Sequence, residues 1–157
     1  MFKILVDTSV FGFALENSSD EKVVTTKDFL KLIGKSHKIS VFLSNITIVE
    51  LENTPGEKLR ENLFKLLPKF PYQIIGQSEN IEQLAEEFIK RKIIPEKYKN
   101  DARLIAAAVV AGIPVIVTWN MKHMANITVK RAVNSVNILM GYGNVDIITP
   151  MEFTEEP

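Results

Sequence analysis

The octet Phe2-Lys3-Ile4-Leu5-Val6-Asp7-Thr8-Ser9 sets the fold of this chain. Its first five residues form a mostly apolar run that suits a buried strand. That run stops on a carboxylate. Charged groups are seldom buried without a partner, so packing alone does not account for Asp7. In an open parallel α/β sheet, ligands bind in the crevice beyond the carboxyl ends of the strands, and Asp7 stands where that crevice would open. The competing structural role is local: Asp7 or Thr8 capping a short helix through Phe13.

Strand and helix patterns alternate outward from this octet. The predicted strands are Lys3 to Val6, Ile39 to Leu43, Tyr72 to Ile75, Val115 to Val117 and Val145 to Ile148. A helix from Asp20 to Lys35 puts Val23, Val24, Phe29, Leu30 and Ile33 on one face. Ser44 is placed to cap a helix carrying Ile46, Val49, Glu50 and Leu51. Thr54-Pro55 reads as the cap and first residue of another, ending near Leu67. Ser78 opens a helix with the stripe Ile81, Leu84, Ala85, Phe88 and Ile89. Asn100 is expected to cap an alanine-rich helix from Asp101 to Ala111, closed by Gly112, and a last helix spans Val129 to Leu139. This alternation predicts an α/β protein: a parallel sheet with right-handed crossovers and helices on both faces.

The bulk numbers narrow the function. A chain of 157 residues suits one domain, 1–157, that buries roughly two thirds of its unfolded surface. Lys+Arg and Asp+Glu balance at 19 each, which argues against a protein that coats nucleic acid through a general basic excess. The absence of cysteine excludes disulfides and thiolate metal sites and fits a reducing cytoplasm. On that reading the Asn-x-Ser/Thr triplets at Asn17, Asn45 and Asn126 are chance matches. No apolar run is long enough for a membrane span, and no signal peptide is recognisable.

Three further polar residues share Asp7's kind of position. Glu50 lies among Ile46, Ile48, Val49 and Leu51, and Asn120 follows the strand Val115 to Val117. Asp101 opens the alanine-rich helix, where the helix dipole alone would favour it by about 0.3–1 kcal/mol. Asn120 likewise fits ordinary loop chemistry. Neighbouring carboxylates repel, and one tends to keep a proton unless something compensates them. A hard divalent cation is the usual compensation.

The order of the four residues resembles the PIN-domain family, metal-dependent nucleases that include toxin ribonucleases of the VapC type. The matching segments are Val6-Asp7-Thr8-Ser9, Val49-Glu50-Leu51 after Ser44, Asn100-Asp101-Ala102, and Val117-Thr118-Trp119-Asn120. They span essentially the whole chain. The departure is Asn120, where many members carry Asp. The resemblance implies a three-layer α/β/α domain on a five-stranded parallel sheet, with Asp7, Glu50, Asp101 and Asn120 meeting at one end. It implies Mg²⁺ or Mn²⁺ at Asp7, Asp101 and Glu50, and hydrolysis of RNA phosphodiesters by a metal-activated water. It also implies the toxin half of a toxin–antitoxin pair, a homodimer, and silencing by an antitoxin segment laid over the site. Thr8 and Ser9 are candidates to bind the carboxylates or the substrate. The alternative is a non-catalytic scaffold that keeps the fold, motivated by Asn120 and the neutral charge.

Other features carry less. Gly34-Lys35-Ser36 mimics a P-loop ending, but the first glycine would fall at Phe29 and the segment closes a helix. His37 reads as solvated. Lys122 and His123 follow the fourth strand and are candidates for substrate contact beside Trp119, which is expected in the core. Lys90, Arg91, Lys92, Lys97 and Lys99 precede Asp101 and would supply local positive charge. Met121, Met124 and Met140 read as core or edge filler.

Overall fold

β1 (Phe2–Val6) runs through the middle of the sheet, with Ile4 and Val6 in one core and Leu5 in the other. Burial on both faces explains its nearly unbroken apolar sequence. It pairs in parallel with β2 (Ile39–Ser44) on one side and β4 (Val115–Val117) on the other, with Leu5 opposite Phe42 and Ile116. β3 (Gln73–Ile75) and β5 (Asp146–Ile148) form the edges, so the order is β3-β2-β1-β4-β5. The computed structural model describes residues 1–155.

Helices α1 (Thr8–Leu15) and α2 (Glu21–Lys35) link β1 to β2, and α3 (Asn45–Glu52) and α4 (Glu57–Phe64) link β2 to β3. These four helices bury Phe11, Phe29, Ile33, Leu51 and Leu63 against one face. The next pair, α5 (Glu79–Lys90) and α6 (Lys99–Val110), crosses the opposite face to β4, and α7 (Ile127–Leu139) links β4 to β5 there. A last helix, α8 (Pro150–Glu155), returns to the first face, where Phe153 meets Phe29 edge-on at 5.3 Å. Ile81, Leu84, Ala85 and Phe88 of the α5 stripe are buried and Ile89 partly so, and the small side chains of Ala102, Ala106, Ala107 and Ala108 let α6 lie close to its neighbours. The winding reverses between β1 and β4, which makes their carboxyl ends the natural ligand crevice.

Local chemistry moves several expected boundaries. Thr54 does not open α4: its hydroxyl donates to the Glu50 carbonyl, closing α3, and Gly56 takes the N-cap at φ +92°. Asn100 does not cap α6, which starts at Lys99: its side-chain oxygen accepts from Arg103 Nη1 rather than from a backbone N–H of the first turn. Val24 points out at 45% exposure, one residue beyond the inward Val23. Met124 is core, whereas Met121 and Met140 are largely exposed. Gly34 sits in the last turns of α2, where a Cβ would come within 2.7 Å of the Lys69 carbonyl oxygen. Its value is close packing rather than phosphate binding.

Candidate active site

Asp7 leaves β1 at the N-cap position of α1, yet its side chain does not cap the helix. Instead Oδ2 accepts from the Ser9 hydroxyl at 2.8 Å and from the Thr118 hydroxyl at 2.7 Å. Thr118, fully buried at the end of β4, also accepts from the Asn120 amide N–H at 2.9 Å. Ser9 Oγ accepts from the Trp119 N–H at 3.0 Å. The turn after β1 and the turn after β4 are thus tied together through Asp7. The residue itself is only 7% exposed.

The other candidates converge on the same end of the sheet. Ser44 caps α3 by accepting from the Ile46 N–H, which sets the helix that carries Glu50. Thr8 donates to Glu50 Oε1 at 2.8 Å. Asn120 donates from Nδ2 to Asp101 Oδ2 at 3.0 Å, and its Oδ1 receives the His123 N–H at 3.1 Å. Four chain segments therefore meet, each fixed by a neighbour.

The electrostatics show a cluster short of positive charge. Loss of solvent pushes the Asp101 carboxyl up to about 6, reinforced by Asp7 and then Glu50, and opposed by the Asn120 hydrogen bond. The Glu50 carboxyl is also raised, first by desolvation and then by the charge of Asp7, while the Thr8 hydrogen bond pulls it down. Among the described residues no lysine or arginine forms an ion pair with any of the three. Three basic residues on α6 and in the turn after α5 are engaged elsewhere: Lys99 with Glu86, Arg91 with Glu87, and Arg103 with Glu82.

The remaining candidates take different places. Lys122 is exposed on the turn after Asn120. His123 is half-buried and stacks on Tyr98 at 4.0 Å, its basicity lowered by burial and then by Lys122 and Lys97. The imidazole thus packs on Tyr98, the residue just before α6. Trp119 packs at the core margin on Phe13, and its indole N–H donates to Thr26 at 2.8 Å. Thr118 was not singled out by the sequence, although it ends β4 as Asp7 ends β1.

The donors are all oxygens, the chemistry that hard cations prefer. Among the described residues no three Asp, Glu or His side chains group closely enough to hold one ion between them. Such a cluster fits a hydrated Mg²⁺, which keeps several waters and takes one or two carboxylates plus substrate phosphate. A rigid all-protein cage does not fit.

No family model and no curated protein sequence matches the chain. Solved structures do match. The chain is similar to VapBC2 from Rickettsia felis, bound to a DNA fragment from their promoter, at 16% identity and a TM-score of 0.60 over 94% of this chain and 98% of that one. A toxin–antitoxin complex from Klebsiella pneumoniae matches at 18% identity and a TM-score of 0.56, over 79% of this chain and 92% of that one. VapC20 from Mycobacterium tuberculosis, a toxin that cleaves the sarcin–ricin loop, matches at 21% identity and 0.56, over 91% and 98%. The chain thus has the PIN-like fold of VapC proteins, as the order of its four polar residues implied.

Proposed function

We propose that this chain is a divalent-metal-dependent endoribonuclease and the toxin component of a toxin–antitoxin pair. The observation that carries the reading is the uncompensated carboxylate cluster at the β1–β4 switch point, with Asp101 raised to about 6. Keeping three acids together without a cation opposes stability, and a function that needs a bound cation explains why they stay. The likeness to an RNA-cleaving toxin over 91% of the chain supports the same conclusion.

Asp7 and Asp101 would hold the ion, with Glu50 acting through water. When bound, Mg²⁺ or Mn²⁺ supplies charge stabilisation to the phosphate and a water of lowered pKa. The chain's own residues do the positioning. Ser9 and Thr118 fix Asp7 through Oδ2, Thr8 fixes Glu50 through Oε1, and Asn120 fixes Asp101 through Oδ2. Glu50 Oε2 accepts no hydrogen bond among the described residues, and a raised carboxyl pKa suits it to take a proton from an attacking water. Lys122, exposed two residues after Asn120, would meet the RNA backbone. The likeness to toxin–antitoxin complexes supports an antitoxin partner; we infer further that an antitoxin segment covers the site and that the toxin pairs with a second copy of itself.

The test is cleavage of a structured-RNA pool with Mg²⁺, Mn²⁺ or EDTA, beside Asp7→Ala. Metal-dependent cleavage that falls by orders of magnitude in the folded variant is the expected result. No cleavage with any metal, or equal cleavage by the variant, rejects the proposal and favours a non-catalytic scaffold.

A further inference from the structure

A cavity of about 300 Å³ is built in part on α3 and α6, the helices that carry Glu50 and Asp101. Val49 immediately precedes Glu50 on α3, and Asn100 immediately precedes Asp101 on α6. Asn45 opens α3, Gln77 follows β3, and Arg103 lies one turn into α6. The cavity thus takes one chain neighbour each of Glu50 and Asp101 and reaches the segment after the edge strand β3, at the low end of the size range of small-molecule pockets.

Its chemistry suits a flat, neutral group with a polar edge. Arg103 donates to Glu82 through Nε at 2.6 Å and Nη2 at 3.3 Å, and to Asn100 Oδ1 through Nη1 at 3.2 Å. That grip holds the guanidinium in place and balances its charge. A phosphate would have to compete with Glu82, whereas a base can stack on the guanidinium plane without disturbing the pair. Val49, 45% exposed, offers an apolar surface to the same group. Asn100 has its oxygen occupied and presents its Nδ2 protons. Asn45 and Gln77 are exposed and make no side-chain hydrogen bond among the described residues, so each retains a donor and an acceptor. Side-chain amides pair bidentately with the N7 and N6 amino group of adenine, and a donor such as Asn100 Nδ2 meets the N7 or O6 acceptor of guanine. Sequence-specific reading of RNA relies on such unstacked bases.

We propose that this cavity takes one unpaired purine of the RNA, next to the cleaved phosphodiester, and reads its edge with Asn45, Gln77 and Asn100. The inference rests on the ribonuclease reading above for the identity of the ligand. The purine then sets which phosphodiester lies over Asp7, Glu50 and Asp101.

Single-stranded RNA octamers with fixed flanks and A, G, C or U at one central position test it. Binding is read by fluorescence anisotropy in EDTA and cleavage in Mg²⁺, for the wild type and the Asn45→Ala/Gln77→Ala variant. The wild type should favour the purine octamers by about tenfold, and the variant should level the four bases to within about twofold. Its thermal melt should not change. Metal-dependent cleavage with a flat base profile, or a wild-type profile in the variant, overturns the inference and leaves the nuclease standing. Purine-selective binding in EDTA that the variant loses, without cleavage in any metal, keeps the cavity and removes the nuclease. Neither binding nor cleavage of any octamer overturns both.

Discussion

Replacing Asp101 by asparagine should stabilise the metal-free protein at neutral pH and leave it unchanged in acid. The carboxyl is raised from 3.8 to about 6 in the folded state. A raised carboxyl binds its proton more tightly folded than unfolded, so its penalty is absent below 3.8, grows as pH rises to about 6, and is complete above that. A displacement of about two pH units at 1.36 kcal/mol each is about 3 kcal/mol. Solvent screening of this partly exposed group reduces the figure to about 1–2 kcal/mol. In a domain of this size that corresponds to about 2–8 °C in Tm. The assay is thermal melting of both proteins in EDTA from pH 4 to pH 8. The variant should melt higher at pH 8, with the gap closing by pH 4, where the wild-type carboxyl is protonated. Adding Mg²⁺ should raise the wild type more than the variant, since a ligand bound only to the folded state stabilises by mass action. A variant less stable at pH 8, or a gap independent of pH, would refute the picture of an uncompensated cluster.

Three other perturbations follow from the same geometry. Asn120→Asp adds a fourth acid beside Asp101 and removes its hydrogen-bond donor; calorimetric titration should show tighter Mg²⁺ binding, while the metal-free Tm above pH 6 falls. Thr118→Val keeps the volume but removes one of the two hydrogen bonds to the buried Asp7 Oδ2 and leaves the Asn120 N–H without its acceptor, and urea unfolding should register a loss of about 1–3 kcal/mol. Gly34→Ala drives a Cβ against the Lys69 carbonyl, and overpacking there should cost about 1–3 kcal/mol in the same assay, overriding the helix propensity gained.

Much of this molecule is written locally in its sequence. The strand cores, the α5 stripe and the caps Ser44 and Ser78 depend on periodicity and side-chain reach within a few residues, and they fall where those rules put them. Even α8, which the strand–helix alternation left out, carries a local signature: Thr149 Oγ1 accepts from the Glu152 N–H while the Glu152 carboxylate accepts from the Thr149 N–H. The order of Asp7, Glu50, Asp101 and Asn120 along the chain was equally plain, and so was the sheet class that would gather them.

Tertiary structure decided what those residues are to one another. Thr118 and Asp7 are 111 positions apart, and only the parallel pairing of β1 with β4 joins them into one hydrogen-bonded unit. The fates of the lysines before Asp101 were likewise not local, because Lys99 is taken by a glutamate on α5 rather than turned toward the acids. Desolvation and mutual repulsion set the Asp101 carboxyl, and both are sums over neighbours from other elements. The sequence determined which groups are present and which elements carry them. Their distances, and hence their charges, arise from the packing that brings those elements to one end of the sheet.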